Sequence, residues 1–126
     1  MQINRLDHVN LVTNQLDVMV DWYTNILGLR NGDRPPFPFP GAWMYAGEHA
    51  VVHLVGNDEP PKVGSEVQLK LEHFALSASG RAAFQARLEE AGERYELLEL
   101  PTVNIIQYNI WDVDGNHIHI DFSLDE

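Results

Sequence analysis

The chain has 126 residues, with 8 Lys and Arg against 19 Asp and Glu, a formal charge of −11 and no cysteine. That length allows one compact domain with a real core and is too short for two independent ones. The charge argues against nucleic acid or an anionic membrane as partner, the missing thiols exclude disulfides and thiolate metal sites, and no apolar run reaches membrane-spanning length.

Residues 3–12 alternate as a strand, with Leu6, His8, Asn10 and Val12 on one face and Asp7, Val9 and Leu11 on the other. Thr13 or Asn14 can cap a helix in which Leu16, Met19, Val20, Tyr23, Ile26 and Leu27 fall at helical spacing, and Gly28 ends it. The Pro-rich run from Arg34 to Gly41 cannot pair as a central strand and reads as an ordered loop. Two short strands follow, Ala42–Ala46 and Ala50–Val55, joined at a Gly47-Glu48 turn. The polar, Pro-containing stretch Gly56–Gln68 is the one credible linker. Beyond it come a strand over Leu69–Ser77, a cap at Ser79, and a helix with Phe84, Leu88 and Ala91 as its buried stripe and Gly92 as its end. Strands Tyr95–Leu100 and Asn104–Trp111 follow, and the turn Asp112-Val113-Asp114-Gly115-Asn116 leads into His117–Phe122.

The two halves repeat. His8 to His73 is an offset of 65, Gly28 to Gly92 is 64 and His53 to His119 is 66. The pattern is βαβββ twice, with module one over about 1–56, a linker over about 57–68 and module two over about 69–124, all within a single domain 1–126. Four imidazoles sit at quasi-repeating places in strand-like runs, His8 and His53 in one half, His73 and His119 in the other. On the last strand Ile118, Ile120 and Phe122 share the apolar face, and His117, His119 and Asp121 the other. With no cysteine, a metal here must be held by imidazole or oxygen. Imidazole suits Zn²⁺, Fe²⁺, Ni²⁺ and Cu²⁺ and is a poor match for Mg²⁺ or Ca²⁺.

The segments Leu6-Asp7-His8-Val9, Asp21-Trp22-Tyr23-Thr24-Asn25-Ile26-Leu27-Gly28-Leu29 and Asp112-Val113-Asp114-Gly115-Asn116-His117-Ile118-His119 carry a family resemblance. The chain resembles the glyoxalase/bleomycin-resistance/dioxygenase superfamily, also called the vicinal oxygen chelate fold, over nearly its whole length. That resemblance implies an α+β fold in which the modules form a cup-shaped mixed sheet with helices on the outer face. It also implies a divalent transition metal (Zn, Fe, Ni or Mn) on His8, His53, His73 and His119. Relatives usually carry Glu at the His119 position, and glyoxalase-type isomerases Glu at the His53 position as well. The all-imidazole set therefore lacks the carboxylate that serves those isomerases as base. Asp121 and His117 are expected as partners of the ligands or at the rim, and His49 as exposed.

Arg34, Trp43 and Tyr45, with Phe37 and Phe39 nearby, combine one cation with aromatic surface, as a pocket for an aromatic or oxygenated anion would; Gln107 and Asn109 can add polar contacts. Two functions follow. One is a metal-dependent enzyme, a lyase, isomerase or dioxygenase, acting on a small oxygenated substrate through a Lewis-acidic centre. The other is a metal-free binding protein of the bleomycin-resistance type. Met1–Arg5 has no signal-peptide profile, so a cytoplasmic setting is expected. A homodimer is also expected, with modules paired within one chain or exchanged between two.

Overall fold

The computed structural model describes residues 1–59 and 71–126. The chain divides into two compact units, Met1–Val63 and Gly64–Glu126. The boundary falls inside the expected linker, whose residues 60–68 lie outside the described residues, as do residues 69–70 of the strand expected from Leu69.

Unit one runs β1 (Val9–Thr13), α1 (Leu16–Asn25), β2 (Arg30–Gly32), β3 (Gly41–Ala46) and β4 (His49–Gly56). Unit two runs β5 (His73–Ser77), α2 (Arg81–Ala91), β6 (Tyr95–Leu100), a 3-10 turn at Pro101–Val103, β7 (Ile105–Trp111) and β8 (His117–Ser123). The sheets have the orders β1-β4-β3-β2 and β5-β8-β7-β6. In each, the first strand lies parallel to the last and the other pairs are antiparallel. The fold is α+β with two βαβββ modules. The βαβββ plan was expected in both halves, but no residues were assigned to β2; its three residues, Arg30-Asn31-Gly32, show no apolar alternation, and the strand pairs with Trp43–Tyr45 of β3.

One sheet face in each unit carries the core. Val52 and Leu54 on β4 are fully buried, with Met44 of β3 and Met19 and Tyr23 of α1. Ile118, Ile120 and Phe122 form the corresponding face of β8, against Tyr108 and Ile110 of β7 and Leu88 of α2. Phe84 of α2 packs its ring edge-on to Tyr108 and tilted to Phe122, each at 5.6 Å between centroids. The Tyr108 hydroxyl stays satisfied in this apolar setting by donating to Gln85 Oε1 at 2.8 Å. Because strand side chains alternate, His53 and His119 are turned to the face opposite these residues.

The helix ends differ from expectation at their starts. Residue Gln15, without a side-chain cap bond, precedes α1, and Thr13 Oγ1, two residues upstream, accepts from Gln15 N at 3.1 Å. At α2 the expected Ser79 gives way to Gly80, whose φ of 86° is a left-handed value a serine would resist. Its cap is Glu126, whose carboxylate accepts from Gly80 N and Arg81 N at 3.0 Å. The far end matches the reading at Gly92: φ is 68°, Gly92 N bonds Glu89 O and Glu93 N bonds Leu88 O, the paired closure of a Schellman motif. Among the described residues no helix is long and apolar enough to cross a membrane.

Leu88 has no exposed surface, so Leu88→Ala is expected to lower unfolding free energy by about 2–5 kcal/mol in urea denaturation. Leu97→Ala, at a position 49% exposed, should cost less than about 0.5 kcal/mol in the same experiment.

Candidate metal centre

In unit two the imidazoles gather through strand register. His73 of β5 lies directly across from His117 of β8, and Ala75 across from His119, so His73 and His119 are diagonal neighbours on one face. The turn before β8 is locked by Asp112, nearly fully buried, whose carboxylate accepts from Asp114 N, Asn116 N and Asn116 Nδ2 at 2.8–3.0 Å. That clamp sets where β8 begins and hence which face His117 and His119 take. The His73 and His119 rings stack at 3.7 Å, and His117 meets them edge-on at 5.6 and 4.7 Å. One ring nitrogen from each of the three lies within 4.8 Å of the others.

The electrostatics favour neutral, ligand-ready nitrogens. His119 Nε2 is buried and has no hydrogen-bond partner among the described residues. Burial, then the neighbouring His73 and His117, holds the His119 pKa below the ordinary 6.5. An orphaned buried nitrogen costs free energy unless something fills its lone pair, which a metal ion would do. Glu72 binds His73 Nδ1 through one oxygen and His117 Nδ1 through the other at 2.6 Å. Those two bonds, His73 first, depress its carboxyl to about 2. His117 Nε2 faces Asn109 Oδ1 at 3.0 Å, so both of its nitrogens point at acceptor oxygens. Trp111 stacks on the same ring at 5.1 Å, with the Arg94 guanidinium 4.2 Å over the indole.

Unit one repeats the arrangement with different walls. His53 of β4 lies in register with Asn10 of β1 and Trp43 of β3. Its ring is sandwiched between His8 at 3.8 Å and Trp43 at 4.2 Å. Burial, then His8, lowers the His53 pKa. Asp7 Oδ2 accepts from His8 Nδ1 at 2.7 Å, and this bond, ahead of all other causes, lowers the Asp7 pKa. Where β8 carries His117 two residues before His119, β4 carries Val51; where β7 sets Asn109 across from His119, β3 sets Trp43 across from His53. Unit one is therefore aromatic around its imidazoles, and unit two polar.

A cavity of about 570 Å³ opens in unit one, lined among others by His8, His53, Arg34, Phe37, Phe39 and Trp43. Tyr45 also lines it, but its hydroxyl donates to Asp33 O at 2.6 Å and Arg30 covers its ring at 4.8 Å, which makes it a wall. Gln107 and Asn109 lie in unit two beside the imidazoles, where Gln107 Nε2 donates to Asp121 Oδ1 at 3.1 Å and Asn109 Nδ2 to Glu96 O at 3.3 Å. Asp121 accepts that bond and its charge favours a protonated His119. His49 is exposed and contacts the Arg5 guanidinium at 3.0–3.1 Å.

The sequence reading missed Glu72. The signal was present: Asp7-His8 and Glu72-His73 are the same acid-imidazole pair at the same offset of 65. It carried no weight without knowing that each carboxylate folds back onto the Nδ1 of the next residue.

His53 and His119 are expected to titrate below 6.5 in chelator-treated protein, followed by the C2 proton shifts in NMR against pH. The linkage sign follows: the folded form binds fewer protons than the unfolded chain below 6.5. Their contribution to stability is present above that pH and is lost as pH falls. Titration of both at or above 6.5 would contradict the burial argument.

The comparisons with known proteins agree with this architecture. Residues 5–120 match the sequence profile of the Glyoxalase/Bleomycin resistance protein/Dioxygenase superfamily. The chain is 27% identical over 125 residues to an Arabidopsis thaliana protein named Glyoxylase I 4, covering 95% of this chain and 71% of that protein. A glyoxylase/bleomycin resistance protein/dioxygenase domain from Frankia sp. EAN1pec has a similar structure, with a TM-score of 0.78, 21% identity, and coverage of 97% of this chain and 93% of that one. Lactoylglutathione lyase from Agrobacterium tumefaciens is similar in fold at a TM-score of 0.70 and 18% identity, covering 97% and 96%. With a profile match across both βαβββ modules, this chain belongs to the Glyoxalase/Bleomycin resistance protein/Dioxygenase superfamily.

Proposed function

We propose that the protein is a metal-dependent enzyme of this superfamily, with a histidine-rich divalent transition-metal centre acting on a small oxygenated substrate. The carrying observation is the buried, unpartnered Nε2 of His119 within a cluster of imidazole nitrogens. The proposed ligands are His8, His53, His73 and His119, the set that the family resemblance implies; within each unit two of these rings stack. Zn, Fe, Ni and Mn are the candidate ions. Such an ion, when bound, supplies Lewis acidity that polarises substrate oxygens and stabilises negative charge developing on them.

The chain's own residues have separable tasks. Asp7 and Glu72 take the Nδ1 protons of His8 and His73, which orients both rings and leaves Nε2 as the free lone pair. Burial keeps His53 and His119 in the neutral form a metal needs. His117, with Nδ1 against Glu72 and Nε2 against Asn109, braces the carboxylate from the side and is proposed as an outer partner of the ligands. Asp121 holds Gln107 beside the cluster. Chemistry of the glyoxalase or dioxygenase kind fits these parts; no carboxylate stands in the proposed ligand set.

Isothermal titration of chelator-stripped protein with Zn²⁺, Ni²⁺, Mn²⁺ and, anaerobically, Fe²⁺ tests this reading. Saturable binding near one ion per chain is expected, lost in both His53→Ala and His119→Ala. Glu72→Gln should weaken it by about 10- to 100-fold while the fold is retained. Retention of less than about 0.2 ion per chain with every metal would sink the enzyme reading. The aromatic cavity of unit one favours a second reading, metal-free sequestration of a small molecule, and ligand affinity that persists unchanged without metal in a protein that binds none would establish it.

A further inference from the structure

We infer that the unit-one cavity is built for a planar aromatic carboxylate, with Arg34 as the anchor for its negative end. This deepens the substrate side of the proposed function and rests on its placing His8 and His53 at the reacting centre.

Arg34 is held in place without a carboxylate. Its guanidinium lies 5.0 Å over the rings of both Phe37 and Phe39, and Nη2 donates to Phe39 O at 3.1 Å. Gly41 makes room for it: a Cβ there would stand 2.7 Å from Arg34 Nη2 and 2.5 Å from Leu54 O, the second a backbone atom that cannot yield. Among the described residues no acidic group lies within ion-pair distance of Arg34, although the chain carries a charge of −11. A guanidinium oriented by aromatic faces and a carbonyl, with donors left over, is prepared for a planar two-oxygen anion. Arg34 and His53 line the same cavity.

The cavity has a polarity along the β3–β4 hairpin. Gly41, beside the guanidinium, pairs with Val55, at the end away from the Gly47-Glu48 turn. Gly41 and Ala46 are the two ends of β3, five residue steps apart, about 17 Å. The acidic lining groups sit toward that far end: Glu48 in the turn itself, and Asp7, already bonded to His8 and 4.0 Å from Arg5. Between the poles lies Trp43, in register with His53 and tilted toward Phe37 at 6.4 Å between centroids. Phe37 and Phe39, each more than 40% exposed and stacked at 5.3 Å, continue the apolar surface to Arg34. A flat ring on this surface with its carboxylate toward Arg34 pairs opposite charges, whereas a reversed carboxylate would face Glu48 and Asp7 and a cationic ligand would set positive charge against the guanidinium.

The test uses three probes sharing one ring system: 2-naphthoate, neutral 2-naphthalenemethanol and cationic 2-naphthylmethylammonium. Each is titrated calorimetrically into the full chain in EDTA, and again after metal loading. The expected ranking places naphthoate about tenfold or more above the neutral probe, with the cation weakest. Arg34→Gln should erase the anion preference while keeping the neutral probe's affinity, which also reports that the variant is folded. Trp43→Leu should weaken all three alike. Equal or reversed ranking, an Arg34→Gln variant with unchanged preference, or no binding of any probe would overturn the inference; should Arg34→Gln fail to fold, the wild-type ranking alone decides. Because the ranking is read in chelator, its failure is distinguishable from failure of metal binding: anion preference without retained metal refutes the enzyme reading and leaves the cavity as an anion-binding site.

Discussion

The short bond from a carboxylate to the Nδ1 of the imidazole that follows it is the constraint on which the rest of the site depends. It occurs once per unit, Asp7 to His8 and Glu72 to His73, at corresponding places in the repeat. An imidazole near a strand edge has two nitrogens and a free ring torsion; a bonded Nδ1 removes both ambiguities. The ring is then aimed so that it stacks on the histidine of the parallel neighbour, at 3.8 Å in one unit and 3.7 Å in the other. Register supplies the remaining precision: parallel pairing of β5 with β8 brings His73 and His119 to one sheet face, and pairing of β1 with β4 begins at Val9, the residue after His8. A slip of one residue would send them into the core.

From this common base the two units diverge in a way that suits a division of labour. Unit one stacks Trp43 on His53, lines the same cavity with Phe37 and Phe39, and holds the Arg34 guanidinium at the far end of the hairpin from its acidic turn. Unit two surrounds His119 with His117, Asn109 and Asp121, and ties one glutamate to two rings. The aromatic walls of unit one offer stacking surface at little entropic cost, because rings have few torsions to freeze. The polar walls of unit two offer lone pairs and protons near the same kind of imidazole. In both units the stacked pair is imidazole only, His8 with His53 and His73 with His119.

Much of the fold was legible from residue order because periodicity reports burial directly. The alternation of Ile118, Ile120 and Phe122 against His117, His119 and Asp121 identified the two faces of β8, and burial follows it except at His119, which is buried as well. Gly92 announced the end of α2 because only a residue without a Cβ accepts that left-handed backbone cheaply. Strand β2 escaped notice because Arg30-Asn31-Gly32 has no apolar pattern, and its existence is a consequence of β3. The cap of α2 escaped because its acceptor, Glu126, lies 45 residues from Arg81.

Spacing alone established the duplicated βαβββ plan, the absence of thiol chemistry, and the four histidines as the residues to watch. These are properties of order and composition, and no coordinates are needed to read them. Tertiary structure decided what the rings touch: that Glu72 joins His73 to His117, that His119 keeps a buried nitrogen without a partner, and that Arg34 is cradled by Gly41. Such contacts depend on side-chain torsions and on strands paired across 40 or more residues, for example His73 with His117. Local sequence does not encode them, because the free energy that selects each contact exists only once the sheet has formed.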